Sequence, residues 1–377
     1  MATKKGGSNA TMNQAKRAKQ DEFYTQLNDI SNEMRHYRAQ FRGKVVLCNC
    51  DDPYESNFFR FFALNFNALG LKRLIATSYA GSPIAGQTLP LFDMEGLKQS
   101  GVTEQDQERR PHAIEINQVP DLNGDGAIDL SDVEVLLRQD GNATHVLEGD
   151  GVYGPGDFRS AQCLEFLQQA DVVVTNPPFS LFRDYLVQLA DHGKMFLVVG
   201  NQNAVTYREI FNLMKENRLW LGVDNGGTKW FRVPDDYDHF ITESRKKTEN
   251  GIKYLSMGNI MWFTNMDHKK RHEEIPLFRK YSAEEYPAYH NFPEAIEVSK
   301  VADIPADYDG MMGVPITFLD KYNPAQFEII GSSRDLGVAM SSVAEKGSFL
   351  QGGPRFYLSN GDGTYRRMYD RIVIKRK

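Results

Sequence analysis

Four consecutive residues, Asn176-Pro177-Pro178-Phe179, combine the side-chain types that could hold an amino group attached to an aromatic ring. The exocyclic nitrogen of adenine is a poor nucleophile because its lone pair is delocalised into the ring. A catalyst must take both amino hydrogens and turn that lone pair toward an electrophile. The Asn176 side-chain oxygen and the Pro177 main-chain oxygen are two such acceptors. The prolines restrict their own φ and the residue before each. Phe179 offers a flat apolar face on which an extruded base could stack. The competing reading of a Pro-Pro pair after a strand is a rigid connection without chemistry.

Residues 171–175 are a short β-branched run without helical period, which predicts a buried parallel strand ending at Thr175. Ser180 is the predicted N-cap of a helix with Leu181, Phe182, Tyr185, Leu186 and Leu189 at helical spacing. The tetrapeptide therefore falls at the carboxyl end of a strand, where open α/β sheets bind ligands. Comparable patterns predict strands over residues 44–49, 73–77 and 194–199, and helices over 26–41, 56–69, 159–169 and 205–216. Their alternation is that of a doubly wound, mostly parallel α/β sheet.

The tetrapeptide resembles the motif of amino-methyltransferases that use S-adenosylmethionine. Five stretches in the same order are similar to the EcoRI-type adenine-specific DNA methyltransferases. They are Asp21-Glu22-Phe23-Tyr24-Thr25, Val45-Val46-Leu47-Cys48-Asn49-Cys50-Asp51-Asp52-Pro53, Gly156-Asp157-Phe158-Arg159-Ser160, the tetrapeptide itself, and Met312-Gly313-Val314-Pro315-Ile316-Thr317-Phe318-Leu319. The resemblance implies an enzyme that flips an adenine out of double-stranded DNA and methylates its N6 by in-line displacement. Asn176, Pro177, Pro178 and Phe179 would then be its catalytic residues. A companion restriction endonuclease, without a stable complex, is the further partner such a family implies.

The same resemblance assigns the cofactor contacts. It sets Phe23, Tyr24 and Thr25 around the methionine part, where an aromatic staple for the following helix is the competing reading. Asp51 or Asp52 would bind the ammonium, and the helix start near residue 56 could receive the carboxylate. Asp157 would accept from the cofactor's adenine amino group with Phe158 beside the ring, although a plain helix cap at Asp157 reads the same. The chain departs from the usual methyltransferase pattern twice. It has no glycine in the turn Cys50-Asp51-Asp52-Pro53, and no acidic residue ends the strand at 73–77.

Residues 121–132 carry a separate signal. Asp121, Asn123, Asp125, Asp129 and Asp132 fall at positions 1, 3, 5, 9 and 12, with Gly126 at the sharp turn and the Ala127 carbonyl at position 7. This is the spacing of an EF-hand calcium loop. Asp132 in place of the usual glutamate, and a strand-like pattern over 113–119 before it, look like the loop of dockerin modules. A metal-free acidic turn is the competing reading. Calcium here is expected to be structural, because methyl transfer requires no metal.

With 377 residues, 41% hydrophobic and 25% charged, the chain has an ordinary globular composition and length enough for a sizeable core. No apolar run reaches membrane-spanning length and no signal-peptide pattern opens the sequence, so the expected address is cytoplasmic. Cys48, Cys50 and Cys163 cannot build a disulfide framework, and Cys48-x-Cys50 lacks a second pair at zinc spacing. The net charge of -6 argues against nucleic acid, yet basic residues gather at both ends, including Lys4, Lys5, Lys16, Arg17, Lys19, Arg366, Arg367, Arg371, Lys375, Arg376 and Lys377. Solvated ends and phosphate contacts read alike at this level.

The expected organisation is a flexible basic arm over residues 1–20, a catalytic domain over 21–230 with an insertion at 81–156, and a target-recognition region over 231–377. Trp230 and Phe231 are candidates for a second wall of the base pocket, with core packing as the alternative. The residues alone leave two rivals open. One is the same chemistry on RNA or a protein amide, and the other is a catalytically silent DNA-binding protein.

Overall fold

Short apolar runs of β-branched residues form the sheet around which the first part of the chain folds. In the computed structural model its strands include β1 (Val45–Cys48), β2 (Arg73–Thr77), β3 (His112–Ile116), β4 (Thr144–Val146), β5 (Val172–Thr175) and β6 (Met195–Asn201), together with Ile260–Thr264. The structure describes residues 25–51, 56–79, 111–122, 124, 130–138, 144–226, 229–233, 243–351 and 353–377. They divide into two compact units. One is Met1–Ala204 with Asp224–Met266, and the other is Val205–Val223 with Asp267–Lys377. The chain thus passes between the units more than once.

In the first unit the strand order is β4-β3-β2-β1-β5-β6 followed by Ile260–Thr264. The pairs β2/β1, β1/β5 and β5/β6 are parallel. The pairs β3/β2, β4/β3 and β6 with Ile260–Thr264 are antiparallel. The expected mostly parallel sheet is therefore a parallel centre flanked by antiparallel strands. Every residue of β1 and β5 is buried, which explains unbroken apolar runs where alternation would mark a one-sided sheet.

Parallel neighbours require crossover connections, and helices supply them. Asn57–Leu64 follows β1, Ala161–Gln169 precedes β5, and Phe182–Asp191 joins β5 to β6. The first buries Phe58, Phe59, Phe61 and Phe62. Phe62 meets Phe41 edge-on at 5.2 Å, and Phe58 meets Trp262 at 5.9 Å. Burying each such ring stabilises the fold by about 1.5–3 kcal/mol. The single helix expected over 56–69 is interrupted at Asn65, whose side-chain amide donates to the Phe61 carbonyl at 2.8 Å. That bond competes with the helical ladder, and a second short helix, Phe66–Leu69, resumes before Gly70. The expected helix over 26–41 is likewise a helix at Leu27–Met34 and a 3-10 turn at Arg38–Phe41.

The second unit carries a sheet in the order Ala288–Tyr289, Phe292–Glu297, Met311–Pro315, Arg371–Arg376, Phe327–Ser332. Two sequence expectations change here. The stretch 291–309, whose composition reads as turn-rich, contains the strand Phe292–Glu297. The basic tail is largely a strand with a neighbour on each side. Its Arg371 is buried and grips Glu297, with Nη2 to Oε1 at 2.7 Å and Nε to Oε2 at 2.9 Å. The Tyr289 hydroxyl donates to the same carboxylate. Charges at either end of the Ile372-Val373-Ile374 core make this strand read from sequence as a solvated end or a phosphate contact.

Candidate active site

At the carboxyl end of β1 the chain turns at Cys50, which adopts φ +65°. A non-glycine residue in that region costs about 1–2 kcal/mol, so its surroundings must hold it. The Cys50 amide donates to the Thr77 hydroxyl at 3.4 Å, and that hydroxyl donates to the Asn49 side-chain oxygen at 2.7 Å. On the other side, the Thr175 hydroxyl donates to the Asn49 main-chain oxygen. The ends of β2, β1 and β5 are thereby bonded to one another. Cys50 takes the left-handed turn without glycine.

Asp51 is buried and accepts from the Ser56 hydroxyl at 2.8 Å. Ser56 in turn caps the next helix, its oxygen accepting from the Phe58 and Phe59 amides at 3.1 and 3.3 Å. Those two amides, expected to serve a carboxylate, are therefore satisfied within the chain. The Asn57 side chain donates to the Thr25 carbonyl at 2.8 Å, which brings Thr25 to the same helix start as Asp51. Phe23, Tyr24 and Asp52 lie outside the described residues.

Three buried polar atoms in this region have no hydrogen-bond partner among the described residues: Thr25 Oγ1, Asn49 Nδ2 and Tyr185 Oη. Burial pushes the Tyr185 hydroxyl pKa well up, and the nearby Cys50 and Asp51 add to it. An orphaned buried polar group costs about 1–3 kcal/mol. Several of them beside one turn, with a carboxylate at Asp51, fit a ligand bearing both an ammonium and a carboxylate. The methionine end of S-adenosylmethionine is such a ligand.

The second expected cofactor contact comes close to the first unit's strand ends through a glycine. Gly156 has φ +75°, and a Cβ there would overlap the Ser78 main-chain oxygen just beyond β2. Only glycine allows the chain to pass. The adjoining Asp157 is buried and clamps Arg159: Oδ1 accepts from the Arg159 amide and Nε, both at 2.9 Å, and Oδ2 accepts from Nη2 at 2.7 Å. A carboxylate has about four lone-pair sites, so Oδ2 keeps room for one amino donor. The helix cap is Ser160, not Asp157; its hydroxyl accepts from the Cys163 amide at 3.4 Å. Phe158 is only 2% exposed, edge-on to Tyr185 at 4.9 Å. Its ring belongs to the core, which leaves little of it for contact with a cofactor.

The tetrapeptide follows β5 directly. Asn176 and Phe179 are half-buried, and Pro177 and Pro178 are buried. Phe179–Leu181 form a 3-10 turn, closed by the Leu181 amide donating to the Pro178 carbonyl at 3.0 Å. The helix starts only at Phe182 and has no side-chain cap. Ser180 is thus not its N-cap, because the turn over the prolines occupies that position. A Cβ on Gly200 would overlap the Phe182 ring, so the helix after the tetrapeptide sits directly on β6.

The other candidates separate. Phe231 is fully buried in the strand Lys229–Arg232, as core packing requires, and Trp230 lies 4.9 Å from the Lys247 ammonium. Cys48 is buried with its thiol pKa pushed up by burial. Of the acidic loop, Asn123, Asp125, Ala127 and Asp129 lie outside the described residues. Its ends are close: the Leu122 amide donates to Asp132 Oδ1 at 2.7 Å, and the Gly124 amide to Asp121 Oδ1 at 2.7 Å. Among the described residues no group of three His, Cys, Asp or Glu could hold a metal ion. No helix among them is long and apolar enough to cross a membrane. Sequence gives no sign of a role for Asn49, Thr77 and Thr175, because their partners are set by register between strands, nor for Tyr185, whose helical spacing reads as core.

Comparison with known proteins identifies a family for the chain. Residues 11–377 match the family model described as adenine-specific methyltransferase EcoRI. The chain is 44% identical over 329 residues to the Type II methyltransferase M.EcoRI of Escherichia coli, covering 86% of this chain and 90% of that protein. It is 34% identical to the Type II methyltransferase M.MpnI of Mycoplasma pneumoniae, covering 97% and 98% of the two chains. No solved structure matches.

Proposed function

Since the chain belongs to the EcoRI adenine-specific methyltransferase family, we propose that Asn176 and Pro177 hold the amino group of an extruded adenine while Phe179 stacks on the base. Membership makes the protein an adenine-specific DNA methyltransferase that uses S-adenosylmethionine and acts on double-stranded DNA. The cofactor supplies an electrophilic methyl group on a sulfonium. The chain's own part is positioning. The Asn176 Oδ1 and the Pro177 carbonyl accept one amino hydrogen each, which turns the nitrogen lone pair out of conjugation, and alignment of this kind supplies much of a transfer rate.

What supports this reading is that the two acceptors follow Thr175 at the carboxyl end of a buried strand whose neighbour, β1, ends in the turn with the orphaned polar atoms. Asp51 and Thr25 take the methionine end, and Phe23, Tyr24 and Asp52 carry the same assignment from the family resemblance. Asp157 takes the adenine amino group of the cofactor through its remaining lone pair, with Phe158 lying behind it. Residues 231–377 supply most of the base reading. Transfer of labelled methyl from S-adenosylmethionine to unmethylated duplex DNA, followed by mapping, tests the proposal. Methyladenine at one defined sequence supports it, and methylcytosine or no incorporation contradicts it.

For residues 121–132 the reading is a calcium ion held as a structural clip by Asp121, Asn123, Asp125, the Ala127 carbonyl, Asp129 and Asp132. Its support is the ligand spacing and the closure of the loop ends on Asp132. A chelator then lowers the melting temperature without changing the cofactor Kd. A companion endonuclease acting on the same site, in the cytoplasm and without a stable complex, completes the restriction-modification role.

A further inference from the structure

Thr77 and Thr175, the last residues of β2 and β5, stand in one row with Asn49, the residue just after β1. Cys48 pairs with Ala76 and Leu47 with Val173, so one step on Asn49 is level with Thr77 and two steps on it is level with Thr175. All three are almost inaccessible, at 1%, 0% and 0%. The two threonine hydroxyls do not bond back within their own strands. Thr77 reaches the Asn49 side chain at 2.7 Å, Thr175 reaches the Asn49 main-chain oxygen, and the Cys50 amide reaches Thr77.

This arrangement refers two loops to one residue. The turn that carries Asp51 begins immediately after Asn49, and the tetrapeptide begins immediately after Thr175. Beyond that point the tetrapeptide has little freedom. Pro177 and Pro178 fix their φ angles, and a residue that precedes proline is held extended. The remaining soft joint is between Thr175 and Asn176, and the Thr175 hydroxyl immobilises it from the strand side.

We infer that Thr175, Asn49 and Thr77 form a positioning clasp that sets the Asn176 and Pro177 acceptors relative to the Cys50-Asp51 turn. The inference rests on the acceptor role proposed for Asn176 and Pro177. The two arms act on different quantities. The Thr175 arm holds the acceptor loop, so it governs the rate of transfer from the bound state. The Thr77 arm holds the Asn49 carboxamide and the Cys50 amide, so it governs cofactor affinity. A displacement of about 1 Å in a reacting pair costs on the order of a hundredfold in rate.

The test measures single-turnover methyl transfer to duplex DNA, cofactor Kd by calorimetry and melting temperature in the full chain, for Thr175→Val, Thr175→Ser, Thr175→Cys, Thr77→Val and Asn176→Ala. Thr175→Val is expected to slow transfer by roughly ten- to a hundredfold while the cofactor Kd stays within about twofold, and Thr175→Ser to restore most of the rate. Thr77→Val is expected to weaken cofactor binding about tenfold with a smaller change in rate at saturating cofactor. Thr175→Cys keeps the side-chain volume with a weak donor, and carries the same expectation should the valine variant not fold. A transfer rate unchanged in Thr175→Val or Thr175→Cys, with only the melting temperature lowered, overturns the clasp. If Asn176→Ala is also fully active the acceptor reading has failed as well; if it is inactive, the clasp alone is wrong.

Discussion

The main chain at Gly156 runs so close to the Ser78 carbonyl oxygen that a side chain on residue 156 would overlap it. This contact brings the turn carrying Asp157 against the end of β2. It joins two segments that are far apart in sequence.

Gly156→Ala must both adopt φ +75° and displace Ser78. The strained backbone alone costs about 1–3 kcal/mol. A lower urea midpoint and weaker cofactor binding are expected together. Gly154→Ala is the control, since nothing lies within 4 Å of its Cβ, and it should be neutral within about 0.5 kcal/mol.

Arg371→Met leaves Glu297 buried without its main partner, which typically costs about 3–5 kcal/mol. Urea unfolding should show this loss. The double variant with Glu297→Leu should recover part of it, because no uncompensated charge remains. Because Arg371 is buried on Glu297, the salt dependence of DNA binding should be unchanged by the single variant. A reduced salt slope would instead assign Arg371 to phosphate.

Tyr185 gives a prediction in alkali. Burial holds its pKa well above the ordinary 10.0, so the folded chain keeps the phenolic proton after the unfolded chain has lost it. The stability contribution is complete below about pH 10 and falls as pH rises toward the folded value. Tyr185→Phe should flatten that fall. At pH 7 it should cost little in the cofactor-free protein, because its hydroxyl has no partner among the described residues. If the hydroxyl serves the cofactor, the cofactor Kd rises in the same variant.

The strand at Arg73–Thr77 is read correctly to the residue because its apolar run is bounded by polar residues on both sides. The strand before the tetrapeptide, expected over 171–175 and found at Val172–Thr175, is read to within one residue, as β-branched runs buried on two faces have no rival period. Local competition is harder to see. The break at Asn65 depends on a side chain bonding back to its own helix, and the late start at Phe182 on a 3-10 turn over two prolines. Arg371 read as a tail because its partner, Glu297, lies 74 positions away. The Asn49 bonds were invisible for a related reason, since they exist only once three strands are in register.

The account's central claim concerns Asn176. The most direct measurement is methyl transfer to duplex DNA by Asn176→Ala, with cofactor binding followed by calorimetry on the same preparation. Loss of at least about a hundredfold in rate, in line with removal of one positioned hydrogen-bond partner, with cofactor Kd within about twofold is the predicted result. Transfer at the unaltered rate would contradict it.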